Sequence, residues 1–292
     1  MTIATPIRRK VSTAALSRLS WPVPAGVATL AVNGYPMAYV ERGAGETVVL
    51  VHGSLSDYRY WTPQMSPPPP GFRFVAVSLR HFHPEPWNGK GEDFSVQGHA
   101  EDVVAFIEHL EVGPVHLVAW SRGGSVALGA TKSRPDLVRK LVLMEPVISS
   151  LLPQPEAGRP DLALARLKAA AVYYKNGDIE GGLQYFVDDL NGAGAWQRRT
   201  QEQRQLARDN AWTLVRQVTD SDAVTRDDLR EMRIPVLLVG GEKGPQYLAQ
   251  TMDAAQQYLP SASRVTISNA GHRMNLDNPV EFNRVVVDFL SK

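Results

Sequence analysis

The amino-acid sequence predicts an α/β fold, a three-layer sandwich in which helices cover both faces of a mostly parallel β-sheet. Two observations support this prediction. Short, continuously apolar runs recur along the chain, which is typical of strands buried on both faces. Stretches with helical spacing of apolar residues lie between these runs, and strands that alternate with helices usually form a parallel sheet.

The first 27 residues precede the predicted fold. Arg8, Arg9 and Lys10 stand before a moderately apolar stretch, which is the order found in an export signal. Arg18 and the segment WPVP at 21–24 interrupt that stretch before a clean apolar run develops. We therefore expect a surface arm lying over the domain, with an export signal as the alternative. No run of 18 apolar residues occurs, so the sequence predicts no membrane span.

The elements of the predicted core follow in order. Residues 28–43 predict a β-hairpin, because Asn33 and Gly34 are turn residues that tolerate positive φ. The last helix has a clear start, with Asn278 as N-cap and Pro279 at the first helical position. Helical spacing is also clear at 103–110. The predicted buried strands are 47–51, 72–79, 115–120, 140–144, 236–239 and 264–267.

One region breaks this alternation. Residues 152–228 contain helical periods and no strand-like run. Structureless loops of that length are uncommon in compact domains. We therefore predict a helical cap at 152–228, inserted into a core formed by 28–151 and 229–292, with residues 1–27 as the N-terminal arm.

Ser121 gives the strongest chemical signal. It lies in the segment AWSRGG, directly after an apolar strand and directly before a helical stretch. A sharp turn at this point would hold the serine in a strained conformation and raise its hydroxyl above the sheet edge. Ala119 and Gly123 are small, as the close approach of strand and helix requires, although the motif usually begins with glycine. The alternative is an ordinary turn with a helix cap.

Two other segments stand where a serine hydrolase would need them. His52-Gly53-Ser54 follows an earlier buried strand, where the N–H groups of Ser54 and Arg122 would form an oxyanion hole. His272 follows the last strand near the C-terminus, in the order serine, acid, histidine.

These segments together resemble the α/β-hydrolase superfamily over residues 28–292. The resemblance lies in VLVHGS, VAWSRGG, LVLMEP, IPVLLVGGE and NAGHRMNLDNP. It implies an α/β-hydrolase fold, with Ser121 as nucleophile and His272 as general base. Esterases, lactonases, carbon–carbon bond hydrolases, epoxide hydrolases and dehalogenases share this scaffold. Epoxide hydrolases and dehalogenases of this kind use an aspartate nucleophile, so Ser121 argues against both.

The acid of the predicted triad departs from the family pattern. The usual aspartate would stand at position 244, which is glycine in this chain. Some members of the superfamily take the acid from the end of the strand after the nucleophile helix, and Glu145 has that position here. We therefore predict Glu145 as the acid that orients His272. Glu242 and a serine–histidine dyad are the alternatives.

Aromatic residues are expected to wall a largely apolar pocket. The candidates are Tyr60 and Trp61 after the oxyanion segment, and Trp196 and Trp212 in the predicted cap, each of which could also be a packing residue. The expected reaction is hydrolysis of a small or medium carboxylic ester or lactone through an acyl-enzyme. The alternatives are a carbon–carbon bond hydrolase of diketone-type substrates and a non-catalytic ligand-binding relative.

The charge balance and the lack of cysteine limit the classes of binding partner and cofactor that we expect. The 31 basic and 30 acidic side chains leave a formal net charge of +1, which argues against non-specific binding to nucleic acid or to an anionic membrane. The chain has no cysteine, so it has no disulfide and no thiolate ligand, which fits a reducing compartment such as the cytoplasm. We expect a small-molecule substrate, no cofactor and no metal, and leave a homo-oligomer open.

Overall fold

The computed structural model describes residues 21–91, 93–151 and 162–292. Most of the predicted N-terminal arm lies outside these ranges. The described residues form an eight-stranded sheet flanked by helices. The strands are β1 (Ala28–Val32), β2 (Tyr35–Gly43), β3 (Glu46–Val51), β4 (Phe72–Val77), β5 (Val115–Trp120), β6 (Val138–Met144), β7 (Val236–Gly241) and β8 (Ala262–Ile267).

The order of the strands confirms the predicted α/β sandwich. Across the sheet they run β1-β2-β4-β3-β5-β6-β7-β8. The β1–β2 and β2–β4 pairs are antiparallel, and all pairs from β4 to β8 are parallel. Asn33 and Gly34 have φ of 46° and 76°, which closes the predicted β1–β2 hairpin.

Helices follow the strands as the alternating pattern predicted. The final helix begins as predicted, since the Asn278 side chain accepts a hydrogen bond from the Glu281 N–H and Pro279 takes the first helical position. The helices are α1 (Val96–Leu110), α2 (Arg122–Ser133), α3 (Leu162–Lys175), α4 (Ile179–Asn191), α5 (Ala195–Arg198), α6 (Gln201–Asp209), α7 (Ala211–Arg216), α8 (Arg226–Glu231), α9 (Gln246–Tyr258), α10 (Met274–Asp277) and α11 (Pro279–Leu290).

Two apolar clusters bury the two faces of the sheet. In β3, Val49 and Val51 pack on one face and Val48 and Leu50 on the other, because successive strand residues point to opposite sides. The first cluster includes residues of α1 and α2, and the second includes residues of α11. A strand with both faces covered must be apolar along its whole length, which explains the continuous apolar runs.

Between β6 and β7 the described residues form helices joined by turns and loops, with no strand among them. Helices α3 to α7 enclose a third apolar cluster, which contains Tyr174, Leu183, Trp196 and Leu214, together with Leu55 from the loop after β3. The division of the chain into core and cap stays a prediction. No helix among the described residues is long and apolar enough to cross a membrane.

Candidate active site

The candidate site lies at the carboxyl ends of the parallel strands. Ser54 follows β3, Ser121 follows β5, Glu145 follows β6 and His272 follows β8. In parallel strands these ends lie along one edge of the sheet, where open α/β sheets bind their ligands. The topology therefore brings together side chains that are up to 218 residues apart in sequence, from Ser54 to His272.

Ser121 sits in a strained turn between β5 and α2. Its φ of 55° and ψ of −125° are unusual for a residue with a side chain. The turn is held by a hydrogen bond of 2.9 Å from the Ser121 N–H to the Met144 carbonyl, and by one of 2.8 Å from the Gly124 N–H to the Ser121 carbonyl. The backbone around the candidate nucleophile is thus fixed by its neighbours on both sides.

Glycines permit the close packing around this turn. A Cβ atom at Gly123 would overlap the His52 carbonyl oxygen, and one at Gly53 would lie 2.8 Å from the Ser121 Cβ. Ala119 is fully buried, so the small residue that replaces the usual glycine fits at that position. The loop after β3 therefore lies directly against the serine turn, as an oxyanion loop must.

Glu145 and His272 form a buried pair. The Glu145 Oε2 lies 2.6 Å from the His272 Nδ1, and the two residues are 1% and 4% exposed. The other carboxylate oxygen, Oε1, accepts a hydrogen bond of 3.0 Å from the Gly241 N–H. Glu145 itself has a φ of 41°, a second strained non-glycine residue at this edge. Both oxygens of the carboxylate are engaged, which fixes its orientation toward the imidazole.

Gly244 stands where the family pattern has aspartate, and it touches the same carboxylate. A Cβ atom at Gly244 would overlap the Glu145 Oε1. The Glu145 carboxylate therefore fills the space that a side chain at position 244 would need.

Glu242, the alternative acid, has a different partner. Its Oε2 accepts a hydrogen bond of 2.7 Å from the Asn269 N–H in the loop before the histidine. Among the described residues no hydrogen bond joins Glu242 to His272. Its position supports the loop rather than the ring of the histidine.

Trp120 links the serine turn to the histidine loop. Its Nε1–H donates a hydrogen bond of 2.8 Å to the His272 carbonyl, and its ring centroid lies 5.0 Å from that of the imidazole. The other side of Trp120 stacks on Tyr60 at 4.2 Å, and the Tyr60 hydroxyl donates to the Asn275 Oδ1 at 2.6 Å. Sequence reasoning missed Trp120, whose only signal was a tryptophan next to the nucleophile.

The side chains of the two predicted oxyanion donors, Ser54 and Arg122, have hydrogen-bond partners of their own. Ser54 directs its hydroxyl to the Gln217 Oε1 at 2.6 Å. The Arg122 guanidinium is buried, with Nε 2.5 Å from the Asp220 Oδ2 and Nη1 3.0 Å from the His99 Nδ1. Both side chains are thus engaged elsewhere, so their part in an oxyanion hole would be that of their backbone N–H groups alone.

His52 holds the oxyanion loop as a neutral imidazole. Its Nδ1 lies 2.9 Å from the Gly53 carbonyl, and its Nε2 accepts a hydrogen bond of 3.0 Å from the Leu79 N–H. Nδ1 is then the protonated nitrogen. Complete burial lowers the pKa of His52 to about 4, so it stays uncharged at neutral pH.

Two cavities reach this edge of the sheet and share Ser54. One, of about 200 Å³, is lined by Ser121 and Arg122, and the other, of about 770 Å³, by Tyr60 and Trp120. Of the predicted aromatic wall, Tyr60 lines the larger cavity.

The other three aromatic predictions are corrected by the structure. Trp61 is fully buried in the core under the sheet, and Trp196 is 1% exposed within the third apolar cluster. Trp212 is 38% exposed and packs edge-on against Tyr174. None of these three lines either of the two cavities. The reason is that large aromatic side chains fill packing positions as readily as pocket walls, and sequence alone does not separate the two uses.

The comparisons with known proteins agree with this fold. A sequence model described as the alpha/beta hydrolase family matches residues 48–285. The chain therefore belongs to the alpha/beta hydrolase family, and it is a hydrolase. An (E)-2-((N-methylformamido)methylene)succinate hydrolase of Acinetobacter baylyi is 24% identical over 267 residues, which cover 88% of this chain and 95% of that relative.

Two esterases extend the similarity. Carboxylesterase YbfK of Bacillus subtilis is 25% identical over 252 residues, covering 84% of this chain and 80% of that protein. Among solved structures, a thermophilic esterase from Thermogutta terrifontis with malate bound gives a TM-score of 0.72 at 20% identity, covering 91% of this chain and 97% of the other. At that identity the structural match shows the fold alone.

Proposed function

We propose that this protein is a serine hydrolase that cleaves a small or medium carboxylic ester or lactone through an acyl-enzyme. In this mechanism Ser121 is the nucleophile, His272 is the general base and Glu145 orients the histidine. The observation that carries the proposal is the buried contact of 2.6 Å between the Glu145 Oε2 and the His272 Nδ1. It supports the proposal because a carboxylate on Nδ1 leaves Nε2 unprotonated and ready to accept the serine proton.

The first half of the reaction forms the acyl-enzyme. The His272 Nε2 takes the proton of the Ser121 hydroxyl while Oγ attacks the carbonyl carbon. The carbonyl π pair moves to oxygen, and the N–H groups of Ser54 and Arg122 donate hydrogen bonds to the resulting oxyanion. The oxyanion then re-forms the carbonyl, the bond to the alkoxy oxygen breaks, and His272 gives its proton to that leaving oxygen.

The second half releases the acid. A water molecule loses a proton to the His272 Nε2 and attacks the acyl carbon, and the same two N–H groups hold the second oxyanion. Collapse of this intermediate breaks the bond to Ser121, which recovers the proton from His272. Glu145 remains a carboxylate throughout and stabilises the imidazolium that forms twice per cycle.

The missing aspartate was the reason to keep a non-catalytic relative as an alternative. The contact between Glu145 and His272 weakens that alternative. The histidine has a carboxylate partner, although this carboxylate follows β6 and not β7. The named activities of the relatives also support hydrolysis: one is a carboxylesterase, and another is a hydrolase whose named substrate is a substituted succinate.

The proposal is tested by labelling with a fluorophosphonate and by assays on p-nitrophenyl esters of graded chain length. We expect labelling and turnover in the wild-type protein and neither in Ser121→Ala or His272→Ala. A folded wild-type protein that is not labelled and cleaves no ester or lactone would contradict the proposal. A vinylogous diketone is included in the panel, since its cleavage without ester turnover would favour the carbon–carbon bond alternative.

A further inference from the structure

Two arginines line the larger cavity without a carboxylate partner. Arg199 follows α5 and Arg273 directly follows His272. Both line the cavity of about 770 Å³ that also contacts Ser54 and Trp120, and both line a neighbouring cavity that contacts His272. Within residues 21–91, 93–151 and 162–292, neither guanidinium forms an ion pair. Both residues are partly buried, and two unpaired cations that line one cavity leave a concentrated positive charge that needs an explanation.

The two positive charges act on each other. Burial first, and then the positive charge of Arg273, lowers the pKa of Arg199 to about 9. The face of Trp196 lies 5.8 Å from the Arg199 guanidinium and gives it partial compensation. Two like charges held together in a cavity lower the stability of the fold, and such destabilising arrangements are typical of functional sites.

The nearby carboxylates already have hydrogen-bond partners on their own segments. Glu202, which also lines the larger cavity, is bonded to the Thr200 side chain at the start of α6. Asp188, which lies close enough to affect Arg199, accepts a hydrogen bond of 2.7 Å from the Trp196 N–H. Asp277 in α10 accepts one of 2.9 Å from the Gly271 N–H. These contacts hold the three acids on their own segments, and the arginine pair is left to a partner from outside the chain.

We propose that Arg199 and Arg273 bind a carboxylate of the substrate, so that the enzyme prefers esters or lactones that carry a free carboxylate. Guanidinium groups bind carboxylates through paired N–H···O hydrogen bonds, which fix position as well as charge. Ser54 lines the same cavity, so a substrate held by the arginines extends toward the oxyanion loop and Ser121. This inference rests on the proposed hydrolase function and names its substrate class.

The test compares substrates in which a free carboxylate is replaced by an uncharged ester or amide of similar size. On the acyl side, the mono-p-nitrophenyl esters of adipic and suberic acid are compared with the diesters in which the free carboxylate is a methyl ester and the p-nitrophenyl group is kept. On the alcohol side, 4-acetoxybenzoate is compared with 4-acetoxybenzamide. We expect kcat/KM to favour the carboxylate by about tenfold or more in at least one pair, as one or two charge-assisted hydrogen bonds would give.

Variants assign that preference to the arginines. Arg199→Gln and Arg273→Gln are expected to reduce the ratio of the two kcat/KM values to about threefold or less. Arg284→Gln is the matched control, since Arg284 is an exposed arginine paired with Asp288 on α11, and it should keep the wild-type ratio. Arg199→Gln is expected to be at least as stable as the wild type, because it removes one of two like charges, so loss of folding would not explain its effect.

A binding measurement separates this inference from the proposed function. In Ser121→Ala, adipate is expected to raise the Tm and adipamide is not. Ester hydrolysis with no preference for charge and no Tm shift with adipate would overturn the inference and leave the proposed function intact. A Tm shift with adipate in a protein that hydrolyses no ester would support carboxylate binding and overturn the proposed hydrolase function. A shift with inorganic phosphate and none with adipate would also overturn the carboxylate assignment.

Discussion

The carboxylate of Glu145 occupies the space that a side chain at Gly244 would need. The two positions belong to different strand ends, one after β6 and one after β7. In this chain the acid next to the histidine is Glu145, after β6. Gly244, after β7, has only a hydrogen atom as its side chain. The glycine at 244 and the glutamate at 145 are therefore two parts of one arrangement, since a larger residue at 244 would require the Glu145 carboxylate to move.

Replacing the acid by its amide tests the role of Glu145. Glu145→Gln removes the negative charge that stabilises the imidazolium and allows the wrong tautomer of His272, so kcat should fall by about 10³- to 10⁴-fold. Glu242→Gln is the matched control, because Glu242 is a glutamate at the same edge bonded to the Asn269 N–H, and it should change kcat by less than about threefold. Steady-state kinetics on one p-nitrophenyl ester measures both. A larger loss in Glu242→Gln would show that the acid was assigned to the wrong glutamate.

A double-mutant cycle tests whether the Glu145 carboxylate and a side chain at position 244 compete for the same space. Gly244→Asp should overlap the Glu145 carboxylate and add a like charge, and should reduce the free energy of unfolding by about 3 kcal/mol. Combining it with Glu145→Ala removes the overlap, so the double variant should be more stable than Gly244→Asp alone. Urea unfolding of the four proteins gives the coupling energy. Additive effects at these two positions would mean that they do not share the space.

The tryptophan next to the nucleophile should matter for both stability and rate. Trp120→Phe keeps the aromatic packing on Tyr60 but loses the hydrogen bond of 2.8 Å to the His272 carbonyl. We expect a loss of about 1 kcal/mol in the free energy of unfolding. We also expect kcat to fall by about tenfold, because the histidine loop is less well fixed against the serine turn.

Trp212→Phe is the control for that experiment, since Trp212 is half-exposed and lines neither cavity at the site. Thermal unfolding and kcat are measured on both variants. Equal losses of kcat in the two would mean that the contact between Trp120 and the histidine loop has no special part in catalysis.

Acid should destabilise the protein through His52. Burial lowers its pKa to about 4 from an ordinary value of 6.5, so between these values the unfolded chain binds a proton that the folded chain does not. The free energy of unfolding must then fall as the pH is lowered through this window, and His52 accounts for about 2 kcal/mol between pH 7 and pH 5.

Urea unfolding at the two pH values measures this effect. His52→Gln lacks the titration, so its stability should change by about 2 kcal/mol less than that of the wild type between pH 7 and pH 5. An unchanged pH dependence in His52→Gln would contradict the assignment of a buried, neutral imidazole.

Much of the fold could be predicted from the sequence. The apolar runs predicted every parallel strand from β3 to β8. In the inner strands, such as β3, burial on both faces explains the continuous run, whereas the edge strand β8 is partly exposed and carries Arg264 and Thr266. The hairpin at Asn33 and Gly34 and the start of α11 at Asn278 followed from local backbone chemistry. Such signals depend on near neighbours in sequence, so one sequence is enough to read them.

The contacts within the site depended on distant parts of the chain. The sequence supplied Ser121 and His272 through their motifs, and it left Glu145 and Glu242 as competing acids. The distance from the Glu145 Oε2 to the His272 Nδ1, across 127 residues, favours the first. The three tryptophans predicted as pocket walls turned out to be packed elsewhere, because the same apolar surface serves a core and a pocket equally well.

The sequence by itself determined the strand order along the chain, the serine turn and the family pattern, because each is set by residues next to one another. Only the tertiary structure decided which carboxylate meets the imidazole, which aromatic rings line the cavity, and that Arg199 and Arg273 share it without a partner. The physical reason is that parallel strands bring together chain ends that are far apart in sequence, and contacts made that way leave no periodic pattern to read.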